Sequence, residues 1–347
     1  MGKKATVRDV AAAAGVSPAT ASRAMSGDPS VNPEMVRRVL KASAELGYSA
    51  NVFARALRTQ RTDTIGMVVP SISNPYFVVA VEAVEKALAD SDRSLILCDS
   101  HDSVETESAR IDLLVHRMVD GLVVIPVSAE ESVPALRAAA QDVAVVQFDR
   151  IAEAAGTDFV GGDNTDGVRQ CIDHLRERGC TTFAYIGARP TTSTAAERLR
   201  AFQDLAAQIH TPDHWLLLGE FTTDWGQAAA RRMLDAAVLP DAIVCGADVI
   251  AVSLLTALRG SGVDVPGVVK VVSYDDSNLG MLTVPRLTSV RQPVESMARE
   301  AVRLLDHRGR HREAPNRKSV FTPELVVRES TGGSGRSRSS TGISHLR

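Results

Sequence analysis

From residue 64 almost to its end, the chain alternates short Val/Ile-rich runs with amphipathic stretches. Strands are predicted at residues 65–69, 95–98, 122–125, 143–146, 183–186, 215–218, 242–244, 269–273 and 321–327. Helices are predicted between them, for example at 76–89, 163–178, 197–208 and 223–234. Such alternation admits few folds. Parallel strands need long crossovers, and the crossover helices cover both faces of the sheet. The number of units is too large for one small sheet. The reading is therefore α/β, with two doubly wound parallel-sheet subdomains in residues 62–330 and chain crossovers near 150–162 and 290.

The segment before residue 62 is of another kind. Thr6 is followed three residues later by Asp9, the spacing of a capping box, and Val7, Val10, Ala11 and Ala14 share one helical face. Gly15 ends that helix. Ser17 and Pro18 restart the chain as N-cap and first helical residue, and the second helix stops at Ser26-Gly27. A third helix opens at Asn32-Pro33, with Val36, Val39, Leu40 and Leu46 expected inside, and ends at Gly47. Helix, tight glycine turn and short second helix form a helix-turn-helix, although three small helices also suit a plain structural bundle. In the first geometry the start of the second helix enters a major groove. Ala19 and Arg23 share an exposed face beside Pro18, Arg23 can fork onto guanine, and Ser17, Thr20 and Ser22 are short donors for phosphates.

Charge points the same way. Residues 1–61 carry ten Lys/Arg against four Asp/Glu, a net of +6, whereas the whole chain carries −3. A basic head on an acidic body suits a polyanion, and a solvated surface is the bland alternative. Residues 49–61 read as a cationic linker able to form about two helical turns, too few to be stable alone. Asn51, Ala54 and Arg55 line it, and Leu57 is placed to wedge a minor-groove base step.

The runs T-V-R-D-V-A-A-A-A-G-V-S-P-A-T-A-S-R-A-M and L-G-Y-S-A-N-V-F-A-R-A-L resemble the lactose-repressor (LacI/GalR) family, and the likeness continues to about residue 330. The resemblance implies a helix-turn-helix domain at 1–48, a hinge helix at 49–61 and a periplasmic-binding-protein-like core. It implies a sequence-specific transcriptional regulator, in most such proteins a repressor. Double-stranded, pseudo-palindromic operator DNA would be bound by a homodimer, under control of a small polar effector held between two lobes. Release of DNA by the effector is the commoner mode there.

Open α/β sheets bind ligands beyond the C-terminal ends of their strands. Polar and aromatic residues at such ends are Tyr76 and Phe77, Asp149 and Arg150, Arg198, Phe221, Asp248, and Asp275 with Asp276. Carboxylates, guanidinium groups and aromatic faces suit a polyhydroxylated ligand such as a carbohydrate, with a nucleoside next. Taken singly, each charged residue is better explained as a helix cap or a surface charge. The resemblance carries the effector role to Asp149, Arg198, Phe221 and Asp275, and to Tyr76 and Phe77. Arg200 rivals Arg198, and Asp163 in D-N…G either belongs to a family element or caps its helix. Two departures stand out. Ala247 replaces the Asn of a family N-D pair, and Ser273 replaces the Gly of G-Y-D-D. The first removes one usual ligand hydrogen bond.

Other classes find little support. The chain lacks G-x-G-x-x-G order at Gly161-Gly162…Gly167, a G-x-S-x-G elbow, and any His or Cys spacing for a metal, so neither an enzyme nor a cofactor is expected. No apolar run is long enough for a membrane and no secretory segment opens the chain, which points to the cytoplasm. The Ser/Gly/Arg-rich residues from 330 onward read as disordered and hold no leucine heptad, so a dimer is expected.

Overall fold

The computed structural model describes residues 5–25, 28–48, 61–89, 91, 93–206, 215–236 and 238–333. Two units are present, residues 1–62 and 63–347. Asn51, Ala54, Arg55 and Leu57 of the expected hinge helix, and the tail beyond Gly333, lie outside the described residues.

In the first unit, α1 (Val7–Ala14) starts where the Thr6 N–H donates to the Asp9 carboxylate at 2.8 Å while Thr6 Oγ1 accepts the Asp9 N–H. It stops at Gly15, whose φ of 66° glycine adopts without strain. Ser17 Oγ accepts the Thr20 N–H at 3.1 Å and opens α2 (Pro18–Met25). Asn32 caps α3 (Pro33–Glu45) in the same manner. Val10, Ala11, Ala14, Ala21, Ala24, Val31, Val39 and Ala42 form the small core. Leu40 and Leu46, expected inside, are exposed. α3 turns Val39 and Ala42 inward, Leu40 lies about 100° round the helix from Val39, and Leu46 follows its last turn.

The second unit has two lobes. Lobe 1 begins with β1 (Thr64–Val69), α4 (Pro75–Ala89), β2 (Ser94–Asp99), α5 (Val104–His116), β3 (Gly121–Val124), α6 (Val133–Asp142), β4 (Ala144–Phe148) and β5 (Asp158–Gly162). The chain crosses into lobe 2 as α7 (Asn164–Glu177), β6 (Phe183–Ala188), α8 (Ser193–Ala206), β7 (Leu216–Gly219) and α9 (Thr223–Leu234). β8 (Ala242–Cys245), α10 (Asp248–Gly260), β9 (Lys270–Tyr274), α11 (Asn278–Leu282) and β10 (Thr288–Arg291) follow. α12 (Val294–Arg310) and β11 (Lys318–Phe321) return to lobe 1, and β12 (Glu324–Val326) ends in lobe 2.

The strand orders β11-β5-β4-β3-β1-β2 and β12-β10-β9-β8-β6-β7 correspond position for position. All pairings are parallel except β12 on β10. Central strands such as β3, β4 and β8 are buried along their whole length, which is why they read as unbroken Val/Ile runs. Each sheet has one apolar cluster on either face, and α12 closes one face of lobe 1 through Val294, Met297, Ala301 and Leu305.

Two expectations need correction here. The strand foreseen at 321–327 is two strands in different sheets. Pro323 has no N–H for a ladder and stands at the break, which makes a third crossing between the lobes. Order also runs further than the composition suggests. Ser330 and Thr331 are fully buried, Ser330 Oγ donating to the Val271 carbonyl at 2.6 Å and Thr331 Oγ1 meeting His174 Nε2 at 2.8 Å.

Gly226 of α9 lies against α10, where a Cβ would run into the Ile250 carbonyl oxygen and Ser253 Oγ. Gly226→Ala should therefore force these helices apart and destabilise the unit by about 1–3 kcal/mol. A lower urea midpoint would register this, and an unchanged midpoint would refute the close contact.

Candidate functional site

Asp149 and Asp275 stand one residue beyond β4 and β9, which hold equivalent places in the two sheets. Each has positive φ, 62° and 105°, and each donates its N–H to the neighbouring strand, to Val160 O at 2.8 Å and Val290 O at 2.9 Å. The pleat thus ends in the same turn twice and puts one carboxylate from each lobe into a shared cleft. In this structure that cleft is almost filled by its own side chains, leaving about 10 Å³ of free space, and is lined by Tyr76, Phe77, Arg150, Arg198, Phe221 and Ala247 besides the two carboxylates.

The two acids have different company. Tyr76 Oη donates to Asp149 Oδ1 at 2.7 Å. Asp275 Oδ1 lies 3.6 Å from Arg198 Nη1 and accepts from Gln292 Nε2 at 3.2 Å. Burial pushes the Asp275 carboxyl up to about 8, against the pull of Arg198 and helped by the nearby Asp248 and Asp149. Arg198 is 3% exposed and held on all sides: Nε donates to Asn164 Oδ1 at 2.8 Å, Nη1 to Gly246 O at 2.7 Å, and its plane lies 3.6 Å from the Tyr274 ring centroid. Arg200, its rival in sequence, is exposed. The Arg150 guanidinium lies between Phe77 of lobe 1 and Phe221 of lobe 2, 5.1 and 5.5 Å from the ring centroids. Its Nη1 donates to Pro126 O at 3.3 Å, and its Nε is buried with no partner among the described residues.

Asp248 does not join this group. It opens α10 with its carboxylate turned to protein donors, Ser289 Oγ at 2.7 Å and the Ser277 N–H at 2.6 Å, and burial raises it to about 6. Its neighbour Ala247 is the residue that faces the cleft. Asp163 caps α7, its carboxylate accepting the Asp166 N–H at 2.9 Å. Asn164, Thr194 and Gln292 escaped the sequence reading, and only the D-N pair gave any signal for the first. At the cleft mouth the Ile151 N–H donates to Ser193 Oγ and the Ala129 N–H to Thr191 O, both at 2.9 Å, so the lobes touch. A larger groove of about 360 Å³ around Arg137, Arg308 and Arg312 lies at the opposite strand ends, and those guanidinium groups are occupied by main-chain carbonyls. Among the described residues no cluster suits a metal ion, and no helix is long and apolar enough to cross a membrane.

In the first unit, Thr6, Ser17, Pro18, Ala19 and Arg23 are exposed, and Thr20 and Ser22 are half-buried. Ser17 Oγ and Thr20 Oγ1 are 2.8 Å apart, so the cap and the first exposed turn of α2 share one polar cluster. Arg38 was not foreseen. Its guanidinium donates to the Ala14 carbonyl and fixes the turn between α1 and α2.

The raised Asp275 carboxyl has a measurable sign. Between about pH 4 and pH 8 the unfolded chain has lost this proton while the folded protein keeps it, so the group subtracts stability as pH rises through that window. Asp275→Asn should gain in Tm relative to the wild type on going from pH 5.5 to pH 8. An offset equal at both values would contradict the shift.

Residues 6–51 match the family described as bacterial regulatory proteins, lacI family, and residues 172–331 match the periplasmic binding protein-like domain. The chain is 32% identical to the HTH-type transcriptional regulator GalR of Salmonella typhimurium over 94% of its own length and 96% of that protein's. Among solved structures, a transcriptional regulator CelR–cellobiose complex is 32% identical with a TM-score of 0.70, covering 94% of this chain and 99% of the other. The lac repressor dimer bound to operator shares the fold, with a TM-score of 0.85 at 23% identity over 95% of this chain and 99% of that one. The mirrored lobes, their cleft and the capped helix-turn-helix are thus those of a transcriptional regulator, and the chain belongs to the LacI family.

Proposed function

We propose that this regulator is a cytoplasmic homodimeric repressor whose hold on a pseudo-palindromic operator is set by a small polyhydroxylated effector in the cleft. The observation that carries the reading is the pair of equivalent carboxylates, Asp149 and Asp275, one from each lobe, beside two buried guanidinium groups and three aromatic rings. Asp149, Asp275 and Arg198 supply acceptors and donors for hydroxyl pairs. Tyr76, Phe77 and Phe221 supply faces for C–H stacking, and Arg150 a further fork. A ligand that touches both lobes favours one arrangement of them, and by linkage operator DNA alters its affinity by the same factor. The cellobiose complex of a relative favours a sugar. Ala247 leaves more room and one donor fewer, so nucleosides belong in the same screen.

On DNA, Pro18, Ala19 and Arg23 read base edges. Thr6, Ser17, Thr20 and Ser22 contact phosphates, and Asn51, Ala54, Arg55 and Leu57 form the hinge in the minor groove. Arg23→Ala should cost about 1–3 kcal/mol on the operator and relax its base preference. Unchanged specificity in a binding-site selection would take Arg23 out of the readout.

The effector is identified by a thermal-shift panel of cellobiose, glucose, galactose, xylulose, adenosine and guanosine, run on the wild type and on Asp275→Ala. A rise in Tm with one compound, lost in the variant, is the expected result. Stabilisation that survives Asp275→Ala would place the ligand elsewhere.

A further inference from the structure

Asn164 is the first residue of α7 and follows Asp163 at the passage from β5 into lobe 2. It is buried, and its carboxamide is used at both ends. Oδ1 accepts from Arg198 Nε at 2.8 Å and Nδ2 donates to Glu197 Oε2 at 2.7 Å. The helix start needs neither bond, because Asp163 already caps it. Asn164 therefore faces the cleft's arginine for a reason other than helix formation.

The passage that Asn164 follows is tied to the other two. The Asp163 N–H donates to Phe321 O at 2.8 Å at the third crossing. Gly162 lies so close to the second that a Cβ would stand 2.9 Å from Gln292 Oε1. Tyr274, which carries the Arg198 guanidinium on its ring, donates Oη to the Asp163 carbonyl at 3.4 Å. A guanidinium fork is planar, so a bond at Nε sets the direction of both terminal nitrogens. With Nη1 on Gly246 O and Nε on Asn164, the plane facing Asp275 is fixed before a ligand arrives.

We propose that Asn164 is a positioning residue: it sets the plane of the Arg198 guanidinium and carries any change at that group into the first crossing between the lobes. The proposal rests on the cleft as the effector site, but it can be tested without an effector. The experiment is a double-mutant cycle on the effector-free, full-length protein with Asn164→Ala, Arg198→Lys and the pair, read by hydrogen exchange in peptides spanning residues 158–168. Lysine keeps the charge and loses the Nε donor.

Each single change should speed exchange of the crossing about tenfold or more, and the double change should exceed the larger single effect by no more than twofold, because the bond from Nε to Asn164 is lost in all three. Asn164→Asp, made together with Glu197→Gln so that an amide faces the new carboxylate, keeps the acceptor for Arg198 and should leave exchange near the wild-type rate. Glu197→Gln alone should likewise leave it near that rate. Independent, multiplying effects would overturn the proposal, as would wild-type exchange in Arg198→Lys. Failure of Asn164→Asp with Glu197→Gln to rescue, in a protein whose exchange elsewhere is normal, would also overturn it. If Asn164→Ala does not fold, Arg198→Lys and Asn164→Asp with Glu197→Gln still decide the matter. The Asp275→Ala thermal-shift arm judges the cleft separately, so the two readings can fail independently.

Discussion

The buried guanidinium of Arg198, set against the Asp275 carboxyl, is the constraint on which the arrangement of the second unit depends. Taking a guanidinium out of water costs several kcal/mol, and an acid at 3.6 Å that burial raises to about 8 does not by itself return that. The remainder comes from the Gly246 carbonyl, the Asn164 amide, the Tyr274 ring and Gln292. These groups sit beyond β8, at the start of α7, at the end of β9 and in the second crossing. The pair is satisfied only when all four places converge, so it marks the register of lobe 2 against the crossings that join it to lobe 1.

The two sheets repeat one plan, and the cleft inherits its symmetry. A positive φ in a non-glycine residue costs of order 1–3 kcal/mol, least for Asp and Asn, and here it is adopted at the same place in both lobes. The neighbours then break the symmetry. Asp149 meets a neutral phenol, whereas Asp275 meets a cation and an amide. The cleft therefore presents chemically distinct halves, which on the proposed reading would let a pseudo-symmetric site fix the orientation of a ligand.

Much of this was readable in the residues because parallel strands buried on both faces spell themselves as Val/Ile runs, and because Thr6, Gly15, Ser17, Pro18 and Asn32 each cap or break a helix by local chemistry. What escaped was set by direction or by distant partners. Asp248 stands a little further beyond β8 than Asp275 does beyond β9, and as the first residue of a long helix it points to Ser277 and Ser289, and the cleft is left to Ala247. A one-residue difference in aim is invisible to strand-end reasoning. The role of Asn164 depends on a residue 34 positions away, and the split between β11 and β12 depends on which sheet each half can complete. Ser330 and Thr331 are polar, and composition marks such residues as tail, but their hydroxyls complete buried bonds to Val271, Thr288 and His174.

Arg150 shows why closure of such a cleft can be reversible. Its guanidinium joins the lobes through Phe77 and Phe221, contacts worth about 0.5–2 kcal/mol each, while its Nε is left unsatisfied in the interior. On the proposed reading, an occupant that stacks on either ring would displace this side chain, which lies near the negative charge of Asp149 and Asp102. What is lost on displacement is small, and what a ligand can gain includes the acceptor for Nε that the protein does not supply. A contact of a few kcal/mol between the lobes is of the size needed for two arrangements to stay within reach of each other. A fully satisfied salt bridge at the same place would hold the lobes in one of them.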